Sequence, residues 1–360
     1  MNIQSTLKPL QLSEREPSVF PDSATSQALI QSLSRKIDEV LTPLVPPGSR
    51  CALLGFPNHG NVGDNAIWLG EKAWLRRQNV TIVYSCEATT YSRRELAATV
   101  GRGIIFLTGG GSVGDLYPHT QAFREQVLLD FPHNPIIQFP QSVYFQHAEH
   151  VKRAQDVFNR HANFTLLART QRSFDRACNL FNVESALCPD MAFALGPIDR
   201  PSAPRTKILW LLRLDGEVHN TWKPFESQHS ERTDWLSETP TMLHRMNRML
   251  TRDLKLSQWL GRLDAWLPGT YDLLAQNRLR WGCHILSRGR LVVTDRLHGH
   301  ILSLLLGIPH VLLDNSYGKV RAFYETWTTA SELTRWADSP EEAVAIAKSF
   351  ISGHHGNSDE

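Results

Sequence analysis

Short apolar runs that alternate with helix-periodic stretches over most of the chain constrain its fold more than any other feature. Residues 51–56, 80–84, 103–108, 135–139, 164–168 and 184–188 read as strands. Between them, 64–78, 92–100, 119–129, 149–161 and 171–181 place apolar side chains at helical spacing, and 26–41 does so ahead of the first strand. Strands that alternate with helices at this interval pair in parallel through right-handed crossovers, so the expected class is α/β with helices on both faces of a sheet. A second series opens with a strand at 207–213. It continues with helical patterns near 241–252 and 269–288, strands at 290–293 and 310–314, and helices at 301–306, 319–327 and 340–351. The segment 197–205, with three prolines, reads as the linker between the two series, and the polar stretch 216–240 as an irregular excursion. A chain of 360 residues exceeds the usual size of one core. The expectation is two α/β domains facing each other across a cleft: a tail and helix at 1–48, domains at 49–197 and 206–336, and a closing helix and tail at 337–360.

Composition removes several function classes. A formal charge of +2 gives no electrostatic case for a nucleic-acid partner. Cys51, Cys86, Cys178, Cys188 and Cys283 are odd in number, lack paired C-x-x-C spacing and lie by apolar segments, so they read as reduced thiols. Neither they nor any other spacing suggests a metal. Residues 1–24 are polar and carry three prolines, without the apolar core of a signal peptide, and no window of about 20 apolar residues exists. The expected location is cytoplasmic. The basic, Met-rich segment 242–250 is either a packed surface helix or a peripheral contact with an anionic membrane or lipid-linked substrate.

The polar chemistry gathers where apolar runs end. Thr294-Asp295-Arg296-Leu297-His298-Gly299-His300 follows a buried strand and precedes an apolar helix. Open α/β sheets bind ligands at that edge, and helix starts present unpaired N–H groups there. A guanidinium grips carboxylate or phosphate, and a neighbouring imidazole can move a proton near neutral pH. Two glycine-containing turns occupy comparable places. In the first, which includes Asn61, Asp64 either caps the next helix or faces the cleft as a base. In the second, Gly109, Gly110 and Gly111 form either a flexible connector or a nest of N–H groups for an anion. Gln141 and Ser142 end another strand, and Arg169 ends the next. Arg213, Asp215 and Glu217 form an internal ion-pair cluster or hold acceptor hydroxyls, and Lys319 stands where it could meet a phosphate. Trp222, Trp235, Trp259 and Trp266 either stack on sugars or fill cores. The turn that includes Asn61 is not G-x-G-x-x-G, and no G-x-x-x-x-G-K-[ST] occurs anywhere, so dinucleotide and P-loop readings lack support.

Taken together, these segments resemble the polysaccharide pyruvyl transferase family. The carriers are GNVGDNAI (60–67), LTGGGSVGD (107–115), FPQS (139–142), ART-x-x-S (168–173), CPDMAF (188–193), TDRLHGH (294–300) and DNSYGK (314–319), in the family's order. One departure is Thr170, where the family has an acid after the arginine. The resemblance implies a GT-B-like fold of two Rossmann-like domains. It also implies transfer of pyruvate from phosphoenolpyruvate to two hydroxyls of a sugar in a surface polysaccharide or its lipid-linked precursor, as a cyclic ketal. Phosphoenolpyruvate is then a co-substrate and no cofactor is needed. Carried over by motif, Arg169 and Arg296, with Leu297 beside them, bind the donor and His298 is the acid. Asp64 or Asp295 takes hydroxyl protons, the glycines and Lys319 assist the donor, and Asn61, Gln141, Ser142, Arg213, Asp215 and Glu217 line the acceptor side. The alternatives are a nucleotide-sugar glycosyltransferase and a non-catalytic scaffold for polysaccharide assembly.

Overall fold

The computed structural model describes residues 23–214, 230–237, 249 and 267–353. It holds two parallel sheets, as the alternation predicts. The first contains β1 (Arg50–Leu54), β2 (Thr81–Cys86), β3 (Ile104–Leu107), β4 (Gly110–Gly114), β5 (Ile136–Tyr144), β6 (Phe164–Ala168) and β7 (Glu184–Leu187). Their order is β2-β1-β3-β5-β6-β7, with β4 pairing β5 beyond the end of β3. The second contains β8 (Thr206–Leu211), β9 (Ser230–Thr233), β10 (Gly289–Thr294), β11 (His310–Leu312) and β12 (Thr334–Trp336), in the order β12-β11-β10-β8-β9. Inner strands such as β3 and β6 are buried along their whole length. That is why they read as continuous apolar runs and not as alternating ones.

One apolar cluster passes through both halves. It joins Trp68, Trp74 and Phe139 of the first to Leu209, Tyr271, Ile301, Leu302 and Phe323 of the second. Each such buried side chain contributes about 1.5–3 kcal/mol relative to exposure. Separate clusters cover the outer faces of the two sheets. The helix Leu267–Ser287 precedes β10 in the chain, yet it leans on the helix Val62–Arg77 of the first half. Lys72 Nζ donates to Asp272 at 2.5 Å, and Gly282 sits so close to Val62 that a side chain there would overlap it.

The structure departs from the sequence reading at four places. Residues 110–114, read as a turn, are β4, and 140–142, read as a strand end, lie inside β5. Part of the polar excursion, Ser230–Thr233, is the edge strand β9. The strand β12, only three residues long, gave no periodic signal. The segment 242–250, apart from the exposed Met249, lies outside the described residues, as do Trp222, Trp259 and Trp266. Among the described residues no helix is long and apolar enough to cross a membrane.

Candidate active site

The junction after β10 is built from Thr294, whose hydroxyl donates to Leu211 O at 2.7 Å and accepts from Arg296 N at 3.1 Å. That turns Arg296 into extended backbone ahead of the helix Leu297–Leu305. Its guanidinium lies 5.4 Å over the Trp235 ring and donates from Nη2 to Asp234 Oδ2 at 2.5 Å, with both partners buried. Asp295 points the other way and accepts from Arg213 N at 2.9 Å. Burial pushes its carboxyl up to about 6, although the Arg213 amide and the charges of Arg296 and Arg213 oppose the shift. His298 lies against Gly63 at the start of Val62–Arg77, where any side chain would overlap the imidazole. The glycine is therefore what lets an imidazole of the second half reach the first.

Opposite stands Arg169, at the end of β6. Its Nε donates to Ser142 Oγ at 2.9 Å and its Nη1 to Asp190 Oδ2 at 2.8 Å. Its Nη2 lies 3.0 Å from where a Cβ on Gly111 would stand, so that glycine makes room for the guanidinium. Trp327 of the second half donates from Nε1 to Arg169 O at 2.8 Å. Asp190 is fully buried and caps the short 3-10 turn Met191–Leu195 by accepting from Ala192 N at 3.0 Å. Its Oδ2 is also 3.4 Å from His298 Nε2, within ion-pair reach but out of line for a hydrogen bond. Burial alone would raise the Asp190 carboxyl. His298, Arg169 and the Ala192 amide outweigh it and hold the group well below the usual range. Two arginines and a histidine, drawn from both halves, thus sit with buried carboxylates at the carboxyl ends of β6 and β10.

Other sequence-predicted residues take structural places. Gly109 N–H does not wait for an anion: Glu71 Oε1 accepts it at 2.7 Å, and Thr108 Oγ1 also donates to Glu71. Gly110 is a ladder residue opposite Gln141. The proposed nest is therefore closed by the protein's own carboxyl, which burial raises well above its ordinary range against the pull of the Gly109 amide and Thr108 hydroxyl. Gln141 clamps β4, accepting from Ser112 N at 2.7 Å and donating to Thr108 O at 3.0 Å. The cap of Val62–Arg77 is Asn61, not Asp64; Asn61 Oδ1 accepts from Gly63 N and its Nδ2 donates to Asp64 Oδ2 at 2.8 Å. Asp64 is left part-exposed and faces Gly110. Leu297 is buried beside Arg296, while Lys319 Nζ lies 5.2 Å over the Tyr317 ring. Arg213 supplies its backbone amide to Asp295, and Asp215 and Glu217 lie outside the described residues.

Sequence reasoning assigned no role to Asp190, Asp234, Trp235 as a cover for Arg296, or Glu71. Asp190 lies in one of the motifs quoted above, and that was the only available signal. The second histidine of the junction, His300, belongs to the core. His310 Nδ1 must donate to the Ile308 carbonyl at 2.8 Å, so its Nε2 accepts from His300 Nδ1 at 2.6 Å and Thr328 Oγ1 donates to His300 Nε2 at 2.8 Å. Burial pushes His310 down to about 4 and holds His300 well below its ordinary value, with the neighbouring His310 adding to the shift, which keeps this chain neutral. Among the described residues no group of three or more His, Cys, Asp or Glu is placed to hold a metal ion.

Comparisons with known proteins agree on one assignment. The family model described as "Polysaccharide pyruvyl transferase" matches residues 61–317. The chain is 34% identical over 319 residues to "Pyruvyl transferase 1" of Schizosaccharomyces pombe, spanning 82% of this chain and 75% of that one. It is 32% identical over 316 residues to a Bacillus subtilis protein provisionally named pyruvyl transferase EpsO, spanning 84% and 93%. The crystal structure of an uncharacterized Klebsiella pneumoniae protein superposes with a TM-score of 0.54 at 19% identity, over 85% of this chain and 99% of that one, and so speaks for the fold. The site's arginines, its imidazole and the two sheets that carry them lie within a chain that belongs to the polysaccharide pyruvyl transferase family, and it is a transferase.

Proposed function

We propose that the chain transfers pyruvate from phosphoenolpyruvate to two hydroxyls of one sugar in a surface polysaccharide or its lipid-linked precursor, forming a cyclic ketal. The observation that carries this reading is His298 Nε2. It is buried and, among the described residues, lacks a hydrogen-bond partner, while it stands beside the Arg169–Asp190 pair. A buried polar atom that the protein itself leaves unmatched calls for a partner, and a bound substrate group supplies one in this reading. Arg169 and Arg296 hold the donor's carboxylate and phosphate in exchange for part of their contact with Asp190 and Asp234. His298 gives a proton to the methylene carbon, and a sugar hydroxyl attacks the adjacent carbon as positive charge develops there. The bond to the phosphate oxygen breaks and the second hydroxyl closes the ring. Of the two hydroxyl protons released, one replaces that given by His298 and the other leaves with phosphate. Asp64 and Asp295 are the candidate bases.

The test is acceptor-dependent phosphate release from phosphoenolpyruvate, with a product heavier by one pyruvate less water. His298→Ala is expected to abolish turnover while the protein stays folded and is still stabilised thermally by phosphoenolpyruvate. Full activity in that variant would refute the assignment of His298. Stabilisation by uridine nucleotides in place of phosphoenolpyruvate would refute the donor.

A further inference from the structure

A cavity of about 400 Å³ opens where the two halves meet, outside the arginine cluster. The first half contributes Gln171 and Arg172, and the second contributes Asp314, Arg321, Glu325 and Thr326. Two cross-contacts hold its edges: Gln171 N donates to Thr326 Oγ1 at 3.1 Å, and Arg172 Nη1 to Tyr317 O at 3.1 Å. Its position relative to the candidate active site is also fixed. Gln171 is two residues beyond Arg169, and Trp327, next to Thr326, donates to the Arg169 carbonyl.

The lining identifies the class of ligand. Arg172 and Arg321 bring donors and Asp314 and Glu325 acceptors, with Arg321 also paired to Asp338 and Glu325. Gln171 Nε2 already donates to Asp175 at 2.7 Å and Thr326 Oγ1 to Ala322 O at 2.6 Å, so Gln171 offers its amide oxygen as an acceptor. The formal charges of Arg172 and Arg321 are offset by those of Asp314 and Glu325, so a polyanion gains little here. Alternating donors and acceptors on planar groups suit neutral vicinal hydroxyls, each of which gives one hydrogen bond and accepts another. The volume is within the range of about 300–1,000 Å³ usual for small-molecule sites and too small for a folded partner.

We propose that this cavity is an acceptor subsite for the sugar units next to the one that becomes the ketal, so that the chain acts on an extended glycan in preference to a single sugar. The inference rests on the proposed pyruvyl transfer for its biological meaning, but its test does not. Gln171→Ala combined with Glu325→Ala removes two exposed side chains that no step of the proposed chemistry uses. Saturation-transfer NMR on the full chain carrying His298→Ala, with gluco-, manno- and galacto-oligosaccharide ladders of one to four units, reads binding without turnover. The expected result is length-dependent binding of one ladder that weakens at least tenfold in the triple variant. In the active protein, KM for the longer acceptor rises by the same factor, while KM for phosphoenolpyruvate and turnover of the single sugar stay unchanged. Equal handling of long and short acceptors, or binding indifferent to the two substitutions, would overturn the subsite. Glycan binding without any pyruvylation would leave the subsite standing and defeat the reaction.

Discussion

Arg169 and Arg296 occupy matching places in the two halves, and each faces a buried aspartate, but their supports differ. Arg169 is held by Ser142, by Asp190 and by the room left at Gly111, and its own carbonyl is taken by Trp327. These supports come from separate elements: Gly111 from β4, Ser142 from the inner strand β5, Asp190 from the turn after the edge strand β7, and Trp327 from the second half. Arg296 relies on Asp234 and on the Trp235 ring, both just past the edge strand β9. Its counter-ion and the ring that covers it thus come from adjacent residues of one short segment. The first arginine is gripped from several elements, whereas these two supports of the second are neighbours in the chain.

Removal of the two carboxylates tests this contrast with the largest effect. Asp190→Ala leaves a buried guanidinium without its partner and should destabilise the protein by about 3–5 kcal/mol in urea unfolding. Asp234→Ala should cost less, because the Trp235 indole still covers the Arg296 guanidinium. Equal losses would mean that the difference in support has no energetic weight. Next comes the contact between the halves. Gly63→Ala places a methyl group in the space of the His298 ring, with an expected cost of about 1–3 kcal/mol from overpacking. Gly111→Ala, with 3.0 Å to the Arg169 guanidinium, should cost less in the same assay.

The smallest effect is in the pH dependence, where the two halves carry opposite signs. Asp190 has a depressed carboxyl, so its contribution is present above the ordinary carboxylate value and is lost as the pH falls through its folded value. Asp295 is raised to about 6, so its folded form favours the proton. It costs stability above pH 6, and that cost disappears as the pH falls toward its ordinary value near 4. Asp295→Asn should therefore stabilise the chain at pH 7 by about 1–2 kcal/mol, an advantage that fades by pH 4. An advantage that grows on acidification would show the sign to be wrong.

The parallel αβ order was legible because inner strands buried on both faces must be apolar throughout, and the junction at Arg296 and His298 was legible because its polar residues interrupt such a run. β4 was hidden because Gly110–Gly114 has almost no side chains with which to announce a strand; only its ladder with β5 makes it one. Asp190 and Asp234 were hidden for another reason. Each is one acid among many in sequence, and its importance comes from a guanidinium placed next to it by the fold, 21 residues away for Arg169 and 62 for Arg296. The closure of the glycine turn by Glu71 was likewise decided by a helix that lies 38 residues earlier.

The helix Leu267–Ser287 carries a further consequence. It acts as a brace, because it packs on β10 of its own half and also locks on to the opposite half, partly through Arg278, which donates to Pro57 O at 3.0 Å. Jaws tied in this way cannot swing wide around a reactant without tearing apolar packing that both share. Halves expressed as separate fragments would each present a greasy, unmatched flank to water, and should aggregate singly yet reassemble when produced together.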